Sequence, residues 1–114
     1  MSKRDLKLLL EDIKECSQKI KKYTKGYSFD DFVNDDRTVD AVIRNFEIIG
    51  EASSNIDKDF KFRTPQILWA DMKNLRNRMI HDYTGVDYEI VWEIITKYLD
   101  ELEFQIDNLI KEIE

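Results

Sequence analysis

Apolar residues recur at spacings of three and four along three long stretches of this chain, with almost nothing to interrupt them. Leu6, Leu9, Leu10, Ile13, Cys16, Ile20 and Tyr23 keep that rhythm first. Val39, Ile43, Phe46 and Ile49 follow, then Val91, Ile94, Ile95, Tyr98, Leu102, Ile106, Leu109 and Ile113. Successive residues of an α-helix turn by about 100°, so these spacings gather side chains on one face. The whole chain has one proline and three glycines in 114 residues, and 37% of it is charged. Sandwiches and barrels need frequent turns, so this pattern specifies long amphipathic helices instead.

The boundaries follow from local chemistry. A first helix is expected from Lys3 to Lys25, with lysines suited to its negative end and Gly26 to its stop. Ser28 and Asp31 have the spacing of a capping pair for a short turn of helix to Val33. A second long helix is expected over Asp35 to Asp57, capped by Asn34 or Asp36, with residues 58–63 a charged connector. Gly50 lies inside this helix, where glycine costs about 1 kcal/mol against alanine, so close approach of another helix is expected there.

Thr64-Pro65 reads as a cap and first residue of a third helix running to Tyr83. Ile67, Leu68, Leu75 and Met79 are its core candidates, with Trp69 and Met72 beside them, and Gly85 its stop. Asp87 can cap a last helix reaching the C-terminus. No strand is expected. The fold class is all-α: one domain over residues 1–114, an antiparallel bundle of four to five helices.

Charge is unevenly distributed. Residues 1–26 carry eight basic and four acidic groups, and residues 85–114 carry two basic and nine acidic. The overall charge of −6 argues against a general nucleic-acid coat, leaving a local basic patch from the first helix and Lys73, Arg76 and Arg78. Cys16 has no partner for a disulfide and falls on an apolar helical face. No segment has the length of a membrane span and no apolar leader precedes a cleavage site, so a soluble cytoplasmic protein is expected. One histidine and one cysteine far apart make no metal site, and no glycine-rich phosphate loop is present, so no metal and no cofactor are expected.

The chemistry concentrates in Leu75-Arg76-Asn77-Arg78-Met79-Ile80-His81-Asp82-Tyr83, which holds the only histidine. Histidine exchanges protons near neutral pH, and the guanidinium fork suits a phosphate. Asn77 and His81 are four apart and share a helical face. Arg76 and His81 are five apart, about 140° of rotation, and diverge on a regular helix. Two arrangements would bring them together: a helix that distorts or ends near His81, or a groove shared with a second subunit. A histidine at a helix end that only donates to a backbone carbonyl is the alternative without chemistry. Glu47 and Glu51 face one way, with Arg44 placed to pair with Glu47. Trp69 and Trp92 fit a core better than a nucleotide platform.

The pattern Arg76-x4-His81-x-Tyr83, with Asn77 beside the arginine, resembles the motif of the HepT-type toxin branch of the HEPN superfamily. Gly50-Glu51-Ala52 is similar to a segment of that branch, as is Leu8-Leu9-Leu10-Glu11-Asp12-Ile13 to its first helix. The resemblance spans nearly the whole chain. It implies a HEPN-like bundle and a metal-independent ribonuclease that works as a homodimer, the motif lining a cleft between subunits. Arg76 and His81 would then be catalytic, Arg76 on the scissile phosphate and His81 on the protons. Asn77 would support them, and Glu51 could lie near the cleft. It also implies a cognate minimal nucleotidyltransferase antitoxin that neutralises the toxin by transferring AMP to Tyr83. The alternative is a non-catalytic helical subunit that docks on a nucleotidyltransferase.

Overall fold

The computed structural model describes all 114 residues, and helices dominate it. Helix α1 spans Lys3–Thr24, capped by the Ser2 hydroxyl, which accepts from the Asp5 N–H. Helix α2, Phe29–Val33, carries the Ser28/Asp31 capping pair as read. Helix α3 spans Asp36–Asn55, and its cap is Asp35 rather than either neighbour, because the Asp35 carboxylate also accepts from the Tyr27 and Thr38 hydroxyls. Residues 58–63, expected as a connector, form helix α4 (Lys58–Arg63) with Asp57 as cap.

Helix α1 packs between α3 and the C-terminal helix α8 (Leu99–Ile113). Its charge explains the pairing. Lys7, Lys14 and Lys21 meet Glu114, Asp107 and Asp100/Glu103 in turn, so the two helices run antiparallel. The lysines that could have formed a basic patch are thus partly committed to the acidic C-terminal helix. Solvent-accessible pairs of this kind, several of them half-buried, add little stability each but fix orientation. Hydrogen bonds from Lys14, then Lys111, hold the Asp107 carboxyl below its ordinary value of 3.8. The unfolded chain therefore takes up this proton first as pH falls, and the contribution is intact above that value and lost beneath it. Melting temperatures of wild type and Asp107→Asn should converge as pH drops through this range.

The third helix is the main departure. Thr64 does not start it. Thr64 ends α4, where its hydroxyl donates to the Phe60 carbonyl and accepts from the Trp69 indole N–H. The chain becomes helical only at α5 (Trp69–Lys73), bends at Asn74, and continues as α6 (Leu75–Met79). Leu68, expected in the core, is exposed, while Trp69, Met72, Leu75 and Met79 are buried. At Ile80 the backbone becomes extended, and β1 (Ile80–His81) pairs antiparallel with β2 (Gly85–Val86), the strands the periodicity did not announce. Gly85 has φ +80, so it serves the return of this hairpin rather than a helix end.

Helix α7 (Tyr88–Glu93) starts on the Asp87 cap as expected and runs through a π-helical turn, Ile94–Tyr98, into α8. That wider turn rotates the apolar stripe by one residue. Leu99 is buried, and Tyr98, expected in the core, is exposed. Twenty-six buried apolar residues form one cluster that includes Cys16, with Phe32, Phe46 and Met79 fully enclosed. No helix is long and apolar enough to cross a membrane.

Candidate functional site

The broken third helix decides where the motif goes. Arg76 and Asn77 sit on the exposed side of α6, while Leu75 and Met79 of the same short helix anchor it in the core. His81 lies two residues beyond the helix, in the hairpin, and Tyr83 is at its turn with a relative exposure of 102%. The 140° divergence expected on a continuous helix therefore does not apply, since the helix ends before His81. None of Arg76, Asn77 and Tyr83 makes a side-chain hydrogen bond or ion pair within the chain, and none is bonded to His81.

His81 does not donate to a backbone carbonyl. Its Nε2 lies 3.4 Å from Oδ2 of Asp87, at the outer edge of hydrogen-bond reach. Asp87 is held from two further sides: its backbone N–H donates to the Met79 carbonyl at 2.7 Å, and its Oδ1 accepts from the Ile90 N–H at 3.2 Å. The Asp87 carboxylate thus caps α7 and faces the imidazole while its backbone N–H closes the hairpin, leaving Nδ1 of the ring uncommitted. In the sequence, Asp87 reads only as a helix cap. Its proximity to His81 needs the chain to reverse at Gly85, and the glycine between the two was the available signal.

Glu51 is exposed on α3, where it forms no ion pair and no bond to the motif, whereas Arg44 and Glu47 pair at 3.8 Å as their spacing suggested. Gly50, its neighbour, is buried against α5: a Cβ there would lie 2.9 Å from the Met72 carbonyl oxygen. The approach expected at this glycine is thus made by the segment that leads into Arg76.

Positive charge gathers ahead of the motif. Lys61 is held below its ordinary value first by burial, then by the nearby charges of Lys73 and Lys58. Two hollows flank the motif. Arg78 lines a largely apolar groove of about 380 Å³ with Phe46, Leu75 and Tyr98, while His81 and Asp87 line a recess of about 330 Å³ with Phe29, Val33 and Tyr88. No three metal-ligating side chains gather anywhere.

The family described as "Ribonuclease HepT-like" matches residues 13–109. A protein of Thermococcus cleftensis named "Probable ribonuclease HepT" is 42% identical over 109 residues, covering 96% of this chain and 99% of its own length. A "Putative RNase" of Methanocaldococcus jannaschii is 40% identical over 114 residues, covering 100% of this chain and 94% of its own. Another "Putative RNase", from Caldanaerobacter subterraneus, is 39% identical over 99 residues, covering 87% and 88%. No solved structure matches.

Proposed function

Because the chain belongs to the HepT-like ribonuclease family, we propose that it cleaves RNA without a metal ion, using Arg76 and His81, as the toxin of a toxin–antitoxin pair. The observation that carries this reading is the state of the only imidazole: half-exposed, beside the Asp87 carboxylate and bonded to no backbone group. In the reaction, an imidazole takes the proton of a ribose 2′-hydroxyl as that oxygen attacks phosphorus. The O2′–P bond forms, the P–O5′ bond breaks, and the 5′-oxygen leaves with a proton. Arg76 carries the charge that develops on the phosphoryl oxygens, and Asn77 supports it. Glu51 is a supporting residue from α3.

One imidazole per chain cannot both accept the first proton and supply the second in a single step. A two-fold dimer brings two copies of the motif together, which supplies the pair. An active monomer in sedimentation at assay concentration would refute the dimer.

The antitoxin in this reading is a cognate minimal nucleotidyltransferase. It moves AMP from ATP to the Tyr83 phenol, releasing pyrophosphate. A fully exposed phenol at a hairpin turn is open to such an enzyme. The adduct would place an anionic nucleotide two residues from His81 and shield Arg76 from RNA. Intact-mass spectrometry after incubation with that enzyme and ATP should show added AMP on wild type and none on Tyr83→Phe. RNA cleavage in the presence of a chelator tests the activity itself, and a wild-type protein that leaves RNA whole would defeat it.

Asp87→Asn provides a graded test. The amide oxygen still caps α7, but its NH₂ group turns to the imidazole and favours the wrong tautomer. In serine proteases the same change at a buried aspartate costs about 10⁴-fold in kcat. Here the contact is long and half-exposed, so about tenfold is expected, with KM unchanged.

A further inference from the structure

We infer that the recess beside His81 seats the nucleobase of the nucleotide whose ribose meets the imidazole. The inference rests on the ribonuclease reading. The recess lies between the end of α2, the hairpin and the start of α7, and its volume of about 330 Å³ is at the lower end of ligand pockets. Phe29, Val33, Val86 and Tyr88 form its apolar lining, each only partly buried.

The aromatic wall is set in advance. Phe29 meets Trp92 edge-on with ring centroids 6.4 Å apart, and Tyr88 meets Phe32 edge-on at 6.5 Å. Phe32 is fully buried and packs on Trp92 at 5.3 Å, so both half-buried rings rest on fixed partners. Braced aromatic surfaces are what unstacked RNA bases occupy, since every base has a flat apolar face.

The rim decides which part of RNA can enter. Asp87 and Glu89 supply two carboxylates, Thr84 a hydroxyl, and no lysine or arginine lines the recess. A phosphate would be repelled there and is drawn instead toward Arg76 and the Lys58/Lys61/Lys73 cluster. A base edge bearing N–H donors suits the rim. Asp87 is occupied by His81 and the α7 cap, whereas Glu89 is exposed and forms no ion pair, so Glu89 is the free acceptor. A carboxylate accepts well from an exocyclic amino group. On uracil, carbonyl oxygens flank the single N–H and oppose it. The recess therefore favours adenine, cytosine or guanine over uracil.

The decisive experiment needs no catalysis. Amide shifts of the ¹⁵N-labelled protein are followed on adding adenosine, cytidine, uridine or ribose 5-phosphate. Adenosine and cytidine should move residues 29–33 and 84–89, uridine should do so about tenfold more weakly, and ribose 5-phosphate should move Arg76–Arg78 instead. Glu89→Gln, at an exposed position, should bring cytidine and uridine to within about twofold of each other. Adenosine that leaves residues 84–89 unmoved, or ribose phosphate that moves them equally, overturns the recess. A second arm uses DNA oligonucleotides carrying one ribonucleotide of each base. A preference against uridine that Glu89→Gln abolishes supports the assignment, and equal cleavage of all four by both proteins overturns it. If nucleosides bind in the recess and no oligonucleotide is cut, the ribonuclease reading fails while the nucleobase site stands.

Discussion

Replacing His81 by alanine is expected to slow RNA cleavage by about 10²–10⁴-fold, the span usual for losing a general acid or base. The melting temperature should hardly move. The imidazole is half-exposed, its one polar contact is 3.4 Å long, and Asp87 keeps its bonds to Ile90 and Met79 without it. Arg76→Ala should cost about 10²–10³-fold, as removal of one donor to developing negative charge does elsewhere. It too should fold normally, because Arg76 bonds nothing within the chain and its helix is anchored by Leu75 and Met79. Rates from purified variants, read beside thermal melts, check both. Undiminished cleavage by the pair would remove the assigned roles. A large fall in melting temperature would show that the residues hold the fold instead.

Gly50→Ala is expected to do the opposite: destabilise the fold while touching no motif residue. Helix propensity alone favours alanine by about 1 kcal/mol. The new Cβ would lie 2.9 Å from the Met72 carbonyl oxygen, which is backbone and cannot rotate away. Relief requires α5 to shift from α3, and overpacking of this kind costs about 1–3 kcal/mol, enough to outweigh the propensity gain. Against a total stability of about 5–15 kcal/mol that is a substantial share. Denaturant midpoints of wild type and Gly50→Ala measure it directly, and an alanine variant that is more stable would refute the close approach. Since α5 leads through Asn74 into α6, activity should fall with the same substitution, through displacement of Arg76.

Much of this molecule was readable from the chain alone, for an identifiable reason. The stripes of α1 and α3, the Ser28/Asp31 pair and the Asp87 cap are all set by residues three or four apart. The close approach expected at Gly50 was readable too, although the sequence could not say which segment makes it. Tyr98 shows where such reading stops. The π-helical turn adds a residue to one turn of an otherwise regular pattern, and only the folded core reveals that Leu99 takes the inward place. The 58–63 segment failed for the opposite reason. It lacks a periodic stripe, and its one buried ring, Phe60, meets Trp69 across a link the sequence does not reveal.

By itself, then, the sequence determined an all-helical chain and gathered its only histidine with Arg76, Arg78 and Tyr83 in one short segment. Only the tertiary structure decided that the helix carrying them stops at Met79. The physical reason is that helical periodicity is a property of neighbours, whereas the stop is made by distant partners. Val86 pairs with Ile80, and the Asp87 N–H takes the Met79 carbonyl. Those two contacts turn His81 out of the helix, bring a carboxylate to its ring, and open the recess beside it.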